Sequence, residues 1–96
     1  MNILCIRGVK MKVENFKHIN QYLIFDKDII TFQSYKSTIA EYNILTGNLK
    51  VFKDWDYSNT TRNHFKMFIN EETSFNYETK KQWIKEMNEN DKIEVV

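Results

Sequence analysis

Proline is absent from this 96-residue chain, and glycine occurs only twice, at Gly8 and Gly47. Turns normally draw on those two residue types for a pre-set or positive φ, so asparagine and aspartate must take over much of that work. The single cysteine, Cys5, excludes an internal disulfide. Secreted domains of this size usually carry several, so a reducing, cytoplasmic setting is expected. No apolar run approaches the ~18 to 20 residues of a membrane span, and nothing near Met1 has the pattern of a signal peptide. The expectation is a soluble protein with no membrane partner.

An excess of charge of one sign is missing as well: 14 Lys and Arg face 13 Asp and Glu, a net charge of +1. This balance argues against a dedicated DNA-coating protein and against an acidic mimic of nucleic acid. Locally the balance is less even. Residues 1 to 20 hold four basic side chains against Glu14, and Glu86, Glu89, Asp91 and Glu94 face only Lys92. Such biases ordinarily mark solvated surface.

What the chain does have is bulk. Apolar residues make up 42% and aromatics 15%, enough to close one core without a staple. The length suits a single domain spanning residues 1–96. Met11 is a plausible alternative start, which would make residues 1–10 a peripheral extension.

From Gln21 to Lys53 the pattern is that of strands. Tyr22-Leu23-Ile24-Phe25 and Ile29-Ile30-Thr31-Phe32 flank Asp26-Lys27-Asp28 and predict a hairpin. Ser37 to Ile44 predicts a third strand, with Thr38, Ala40, Tyr42 and Ile44 on one face and Ile39, Glu41 and Asn43 on the other. Leu49-Lys50-Val51-Phe52 follows the turn at Gly47 and predicts a fourth. After Lys53 the period changes to about 3.6. Ser58 suits an N-cap, and Thr61, His64, Phe65, Phe68, Ile69 and Glu72 share one side of a helix expected over Asn59 to Glu71. A second helix is expected after a cap at Ser74 or Asn76, with Lys80, Trp83, Ile84 and Met87 as its stripe. The fold class is therefore α+β, an antiparallel meander of about four strands packed against two C-terminal amphipathic helices. Ile3 to Ile6 suggests a further strand ended by Gly8. Val13, Phe16 and Ile19 have the spacing of a helical turn, and the last residues suggest a short edge strand or a frayed end.

The densest segment is Asp54 to His64, where the meander hands the chain to the first helix. Trp55, Asp56, Tyr57, Arg62, His64 and Lys66 are the candidate binding residues, because Trp, Tyr and Arg dominate interface energetics. A plainer role competes: Asp56 or Ser58 caps the helix, while Trp55 and Tyr57 close the end of the core. No metal site is expected. A calcium loop needs more oxygen ligands and a glycine, and zinc needs closely spaced Cys or His. No cofactor motif is present, and one Cys with two His leaves no nucleophile constellation, so no enzymatic activity is expected. Arg62 and Lys66, four apart on the outer side of the first helix, suit phosphate oxygens. No helix-turn-helix glycine, zinc spacing or RNA-binding signature accompanies them. Tyr22, Phe25, Phe32, Tyr35, Tyr42 and Phe52 are more rings than one small core can face from alternating strands, so a partner surface or oligomer interface is also expected among them.

Phe32-Gln33-Ser34-Tyr35-Lys36-Ser37-Thr38-Ile39-Ala40, Thr46-Gly47-Asn48-Leu49, and Trp55-Asp56-Tyr57-Ser58 followed by Thr60-Thr61 and His64 together resemble a domain of unknown function. That domain is found in short proteins of phages, plasmids and other mobile elements in low-GC Gram-positive bacteria. The resemblance covers residues 32 to 69 and brings no established activity. It implies a non-enzymatic protein that binds and inhibits or modulates a host protein, with an anti-CRISPR-type inhibitor of a CRISPR effector nuclease as the specific expectation. The alternative is a nucleic-acid-binding accessory protein of a phage or plasmid.

Overall fold

A computed structural model describes residues 2–6 and 9–96, with side chains described from Met11 onward. The strands are β1 (Asn2–Ile6), β2 (Val9–Phe16), β3 (His18–Asp26), β4 (Ile29–Ser34), β5 (Ser37–Asn43), β6 (Leu49–Val51) and β7 (Ile93–Val95). A 3₁₀ turn at Lys53–Asp56 and helices α1 (Asn59–Glu72) and α2 (Lys80–Glu89) lie between β6 and β7. The seven strands form one sheet in chain order, antiparallel from β1 to β6, with β7 parallel to β6. The fold is α+β, with the expected four-strand meander at its centre as β3 to β6. Gly8, the expected end of the first strand, lies outside the described residues.

Alternation decides which face of the sheet is covered. Leu23, Ile30, Phe32 and Ser34 are buried, while Tyr22, Ile24, Ile29, Thr31 and Gln33 on the opposite face stay half exposed. α1 presents Thr61, Phe65, Phe68 and Ile69 to the covered face, a spacing of one helical stripe. Phe68 stacks on Phe32 with ring centroids 5.5 Å apart, and Phe16 meets the edge of Phe32 at 5.8 Å. α2 contributes Trp83 and Met87, and Ile93 of β7 is buried with them.

Several expectations need correction. Val13, Phe16 and Ile19 do not form a helical turn: Val13 pairs with Ile24 across β2 and β3, Phe16 points into the core and Ile19 stands exposed. Their spacing of three is coincidental, because alternation in the paired strands sends Val13 and Phe16 to opposite faces. Tight reversals there and at the next two hairpins use Lys17, Lys27 and Tyr35 at positive φ, rather than asparagine or aspartate.

The expected face of β5 is interrupted at a bulge. Phe32 pairs with Ala40 and Gln33 with Thr38, leaving Ile39 as the extra residue, so Ile39 and Ala40 are both buried while Thr38 is exposed. Ile44 lies past the strand end and is exposed.

The start of α2 also differs. Its N-cap is Thr79, which accepts a bond from the Gln82 backbone at 3.1 Å, and neither Ser74 nor Asn76 caps it. Residues 73 to 78 are held otherwise: Asn70 donates to the Tyr77 carbonyl at 2.9 Å and accepts from the Tyr77 N–H at 2.7 Å, which keeps Tyr77 buried. Lys80 and Ile84 consequently face outward, and the buried stripe is Trp83 with Met87.

Gln21 is fully buried beside Ser34, and among the described residues neither its amide nitrogen nor its amide oxygen has a hydrogen-bond partner. An unpaired buried amide costs about 1–3 kcal/mol. Gln21→Met, close in volume, is expected to raise unfolding stability by about 1 kcal/mol or more. Urea denaturation measures this, and a loss of stability would show that the amide has a partner such as a trapped water.

Candidate functional site

The 3₁₀ turn after β6 sorts the dense segment into inward and outward residues. Trp55 is buried, with its ring 5.5 Å from Phe65 of α1, so it fastens the turn to the core and presents no surface to a partner. Ser58 then caps α1, accepting from the Thr61 N–H at 3.1 Å. Between these two fixed points Tyr57 is left 81% exposed.

Asp56 ties the same corner together from outside. Its carboxylate accepts from Lys80 Nζ of α2 at 2.6 Å and from Arg62 Nη1 of α1 at 2.8 Å. The hydrogen bond from Lys80, followed by that from Arg62, holds its pKa below the ordinary value of 3.8, against the opposing pull of desolvation. Arg62 also donates to Asn59. Lys66 donates to the Glu78 carbonyl at 2.9 Å and sits 5.8 Å over the Tyr77 ring. The two cations suited to phosphate are therefore both engaged within the chain. His64 is half-buried, its Nδ1 2.8 Å from the Thr60 carbonyl, and its ring lies 6.1 Å from that of His18.

Two residues outside the dense segment complete this end of the molecule. Tyr35, at the β4–β5 turn, adopts φ +54°, a conformation that bulky L-residues avoid. It is held there by its N–H on the Asn20 carbonyl at 2.7 Å and by Gln33 Nε2 on its own carbonyl at 2.8 Å. Its side chain is 55% exposed, and Ile19, beside Asn20, is 72% exposed. Tyr35 is one of the strand rings expected from the sequence to leave an exposed patch, whereas Ile19 had no such signal, since its exposure follows from turn geometry.

Tyr35 and Tyr57 line a groove of about 720 Å³ between the β4–β5 turn and the start of α1, with Lys36, Ile39 and Asp54. Its inner wall is a chain of hydroxyls: Ser58 Oγ donates to Thr61 Oγ1 at 3.2 Å, and Thr61 Oγ1 lies 3.2 Å from Ser34 Oγ. The groove thus combines a mostly apolar lining with two tyrosines and a hydroxyl-bearing wall, a surface suited to recognition. Among the described residues no group of three or more His, Cys, Asp or Glu side chains converges, and no helix is long and apolar enough to cross a membrane.

A model of a family of unknown function matches residues 9–86. The chain belongs to that family, DUF8033. The DUF8033 match begins with β2 and ends within α2, so it takes in the groove, Ile19 and both histidines and leaves out β1 and β7. Comparison with curated proteins and with solved structures gives no match.

The Asp56 corner gives a pH signature. A carboxyl whose folded pKa is depressed adds stability above its unfolded value, here near 3.8, and loses it as pH falls through the lower folded value. Asp56→Asn is expected to lower stability by about 0.5–1 kcal/mol at neutral pH, and by almost nothing once the wild-type carboxyl is protonated. Thermal unfolding of both proteins at neutral pH and near pH ~2 measures the difference; an equal deficit at both pH values would contradict the ion-pair account.

Proposed function

We propose that this chain is a non-enzymatic binding protein that blocks or modulates a partner protein through the end bearing Ile19, Tyr35 and Tyr57. The observation that carries the reading is the exposure of two tyrosines on the lips of one groove, each on backbone fixed by buried packing or hydrogen bonds. Tyrosine contributes large contact area at small entropic cost, and rigid presentation lowers the cost of association further. Ile19, next in sequence to the Asn20 that holds Tyr35, adds exposed apolar surface beside the same turn. The resemblance to short mobile-element proteins gives the finer proposal: the partner is a host protein in the cytoplasm, most specifically a CRISPR effector nuclease, inhibited in the manner of an anti-CRISPR protein.

The alternative, a nucleic-acid accessory protein, draws on Arg62 and Lys66. Both would have to leave partners inside the chain to reach phosphate, so protein binding is favoured.

DNA cleavage by purified CRISPR effectors in the presence of the protein tests the finer proposal, with inhibition of at least one effector expected and its absence across them contradicting it. The coarser proposal is tested with whichever partner is identified. Tyr35→Ala combined with Tyr57→Ala is expected to weaken binding by about 30-fold or more, since hot-spot truncations cost about 2 kcal/mol or more. Unchanged affinity in the folded double variant would remove this surface from the account.

A further inference from the structure

His18 and His64 are the only histidines in the chain, far apart in sequence, and the fold sets their rings side by side. His18 opens β3 immediately after the tight reversal at Lys17, whose φ of +66° returns the strand over α1. His64 lies on α1, one turn after Thr60.

The hydrogen bond at His64 fixes which nitrogen is available. A carbonyl only accepts, so the 2.8 Å contact with Thr60 puts the proton on Nδ1 and leaves the Nε2 lone pair free. Metal-bound histidines are commonly oriented in this way, by a backbone carbonyl on the nitrogen that does not bind the ion. His18 is exposed, and its Nδ1 makes only a long contact of 3.5 Å with the Asn20 N–H. Its ring is free to turn, and giving up that contact moves its proton to Nδ1 and frees Nε2.

The spacing matches a shared ion. With metal–nitrogen bonds of ~2.0–2.1 Å and a ring centre ~1.1 Å behind each donor, two imidazoles on one tetrahedral ion place their centroids ~5 Å apart, and wider N–metal–N angles bring this to ~6 Å. The rings here are 6.1 Å apart and tilted by 49°. A side-chain rotation of the exposed His18 covers the difference. The nearest cation on the same turn, Lys17, is drawn to Glu71 at 3.0 Å. Imidazole pairs select borderline ions such as Zn²⁺, Ni²⁺ and Cu²⁺ over Mg²⁺ and Ca²⁺, which prefer oxygen.

We propose that His18 and His64 form a two-imidazole chelate for a borderline divalent cation, its remaining coordination positions taken by water. Reading the sequence for closely spaced ligands could not reveal this pair, which meets only through the β2–β3 reversal. The proposal is independent of what binds the Tyr35 and Tyr57 groove.

Cys5 and the terminal amine also attract such ions, so the test must resolve individual rings. The imidazole resonances of the full chain are followed by NMR during a Zn²⁺ titration slightly above neutral pH, in wild type and in His18→Ala, with amide spectra confirming the fold. Both rings are expected to respond with one shared midpoint, and His18→Ala is expected to weaken the His64 response by about tenfold or more through loss of the chelate. Different midpoints for the two rings, an unchanged His64 response in His18→Ala, or equal shifts with Mg²⁺ would each overturn the proposal.

Discussion

The ring of Phe65 is the contact on which the upper layer of this molecule depends. It lies 5.5 Å from Trp55 of the 3₁₀ turn, 5.6 Å from Trp83 of α2 and 6.1 Å from Tyr77 of the connecting loop, and Tyr77 stacks on Trp83 at 5.4 Å. Three segments that share no backbone hydrogen-bond ladder are thus joined through one side chain of α1. A sheet with one covered face needs such a device, because short amphipathic helices gain most of their stability from packing rather than from propensity. The aromatic cluster supplies the packing, and Asp56, bridging Arg62 and Lys80, closes the same corner on the solvent side.

This construction determines what the surface can offer. Because Trp55 is committed to the core and Ser58 to the cap of α1, Tyr57 between them has nowhere to go but outward. Tyr35 reaches the same groove from the opposite wall, on a turn whose left-handed backbone is stabilised by Asn20 and Gln33. Strained residues persist only where their surroundings over-determine them, and they cluster at functional positions. The binding surface proposed here is therefore an outcome of core packing and turn geometry together.

Much of the fold was legible in the sequence. Alternation in Tyr22 to Phe25 and Ile29 to Phe32 located the first central hairpin, and Ser58 with Phe65, Phe68 and Ile69 located α1 nearly to the residue. Misreadings arose where a single residue changes the phase. The Ile39 bulge broke the period of β5, and the Asn70–Tyr77 bonds delayed α2 to a cap at Thr79. Periodicity carries no information about such events, which depend on pairing between specific residues outside the repeating pattern. The candidate surface was legible only in part: Tyr57 lies in the segment singled out from the sequence and Tyr35 among the rings expected to leave an exposed patch, but Trp55, Asp56, Arg62 and Lys66 are occupied inside the chain, and the exposure of Ile19 had no signal because exposure beside a turn is decided by pairing register.

The central claim is that this protein acts through the rigid aromatic end rather than through the open face or edges of its sheet. Position-specific photo-cross-linking in cells tests it most directly, with a photoreactive residue placed in turn at Tyr57, at Tyr35 and, as a distant control, at Leu45, which is also exposed. The account predicts one shared protein adduct from Tyr57 and Tyr35 and none of that identity from Leu45. The same adduct from all three positions, or from Leu45 alone, would contradict it.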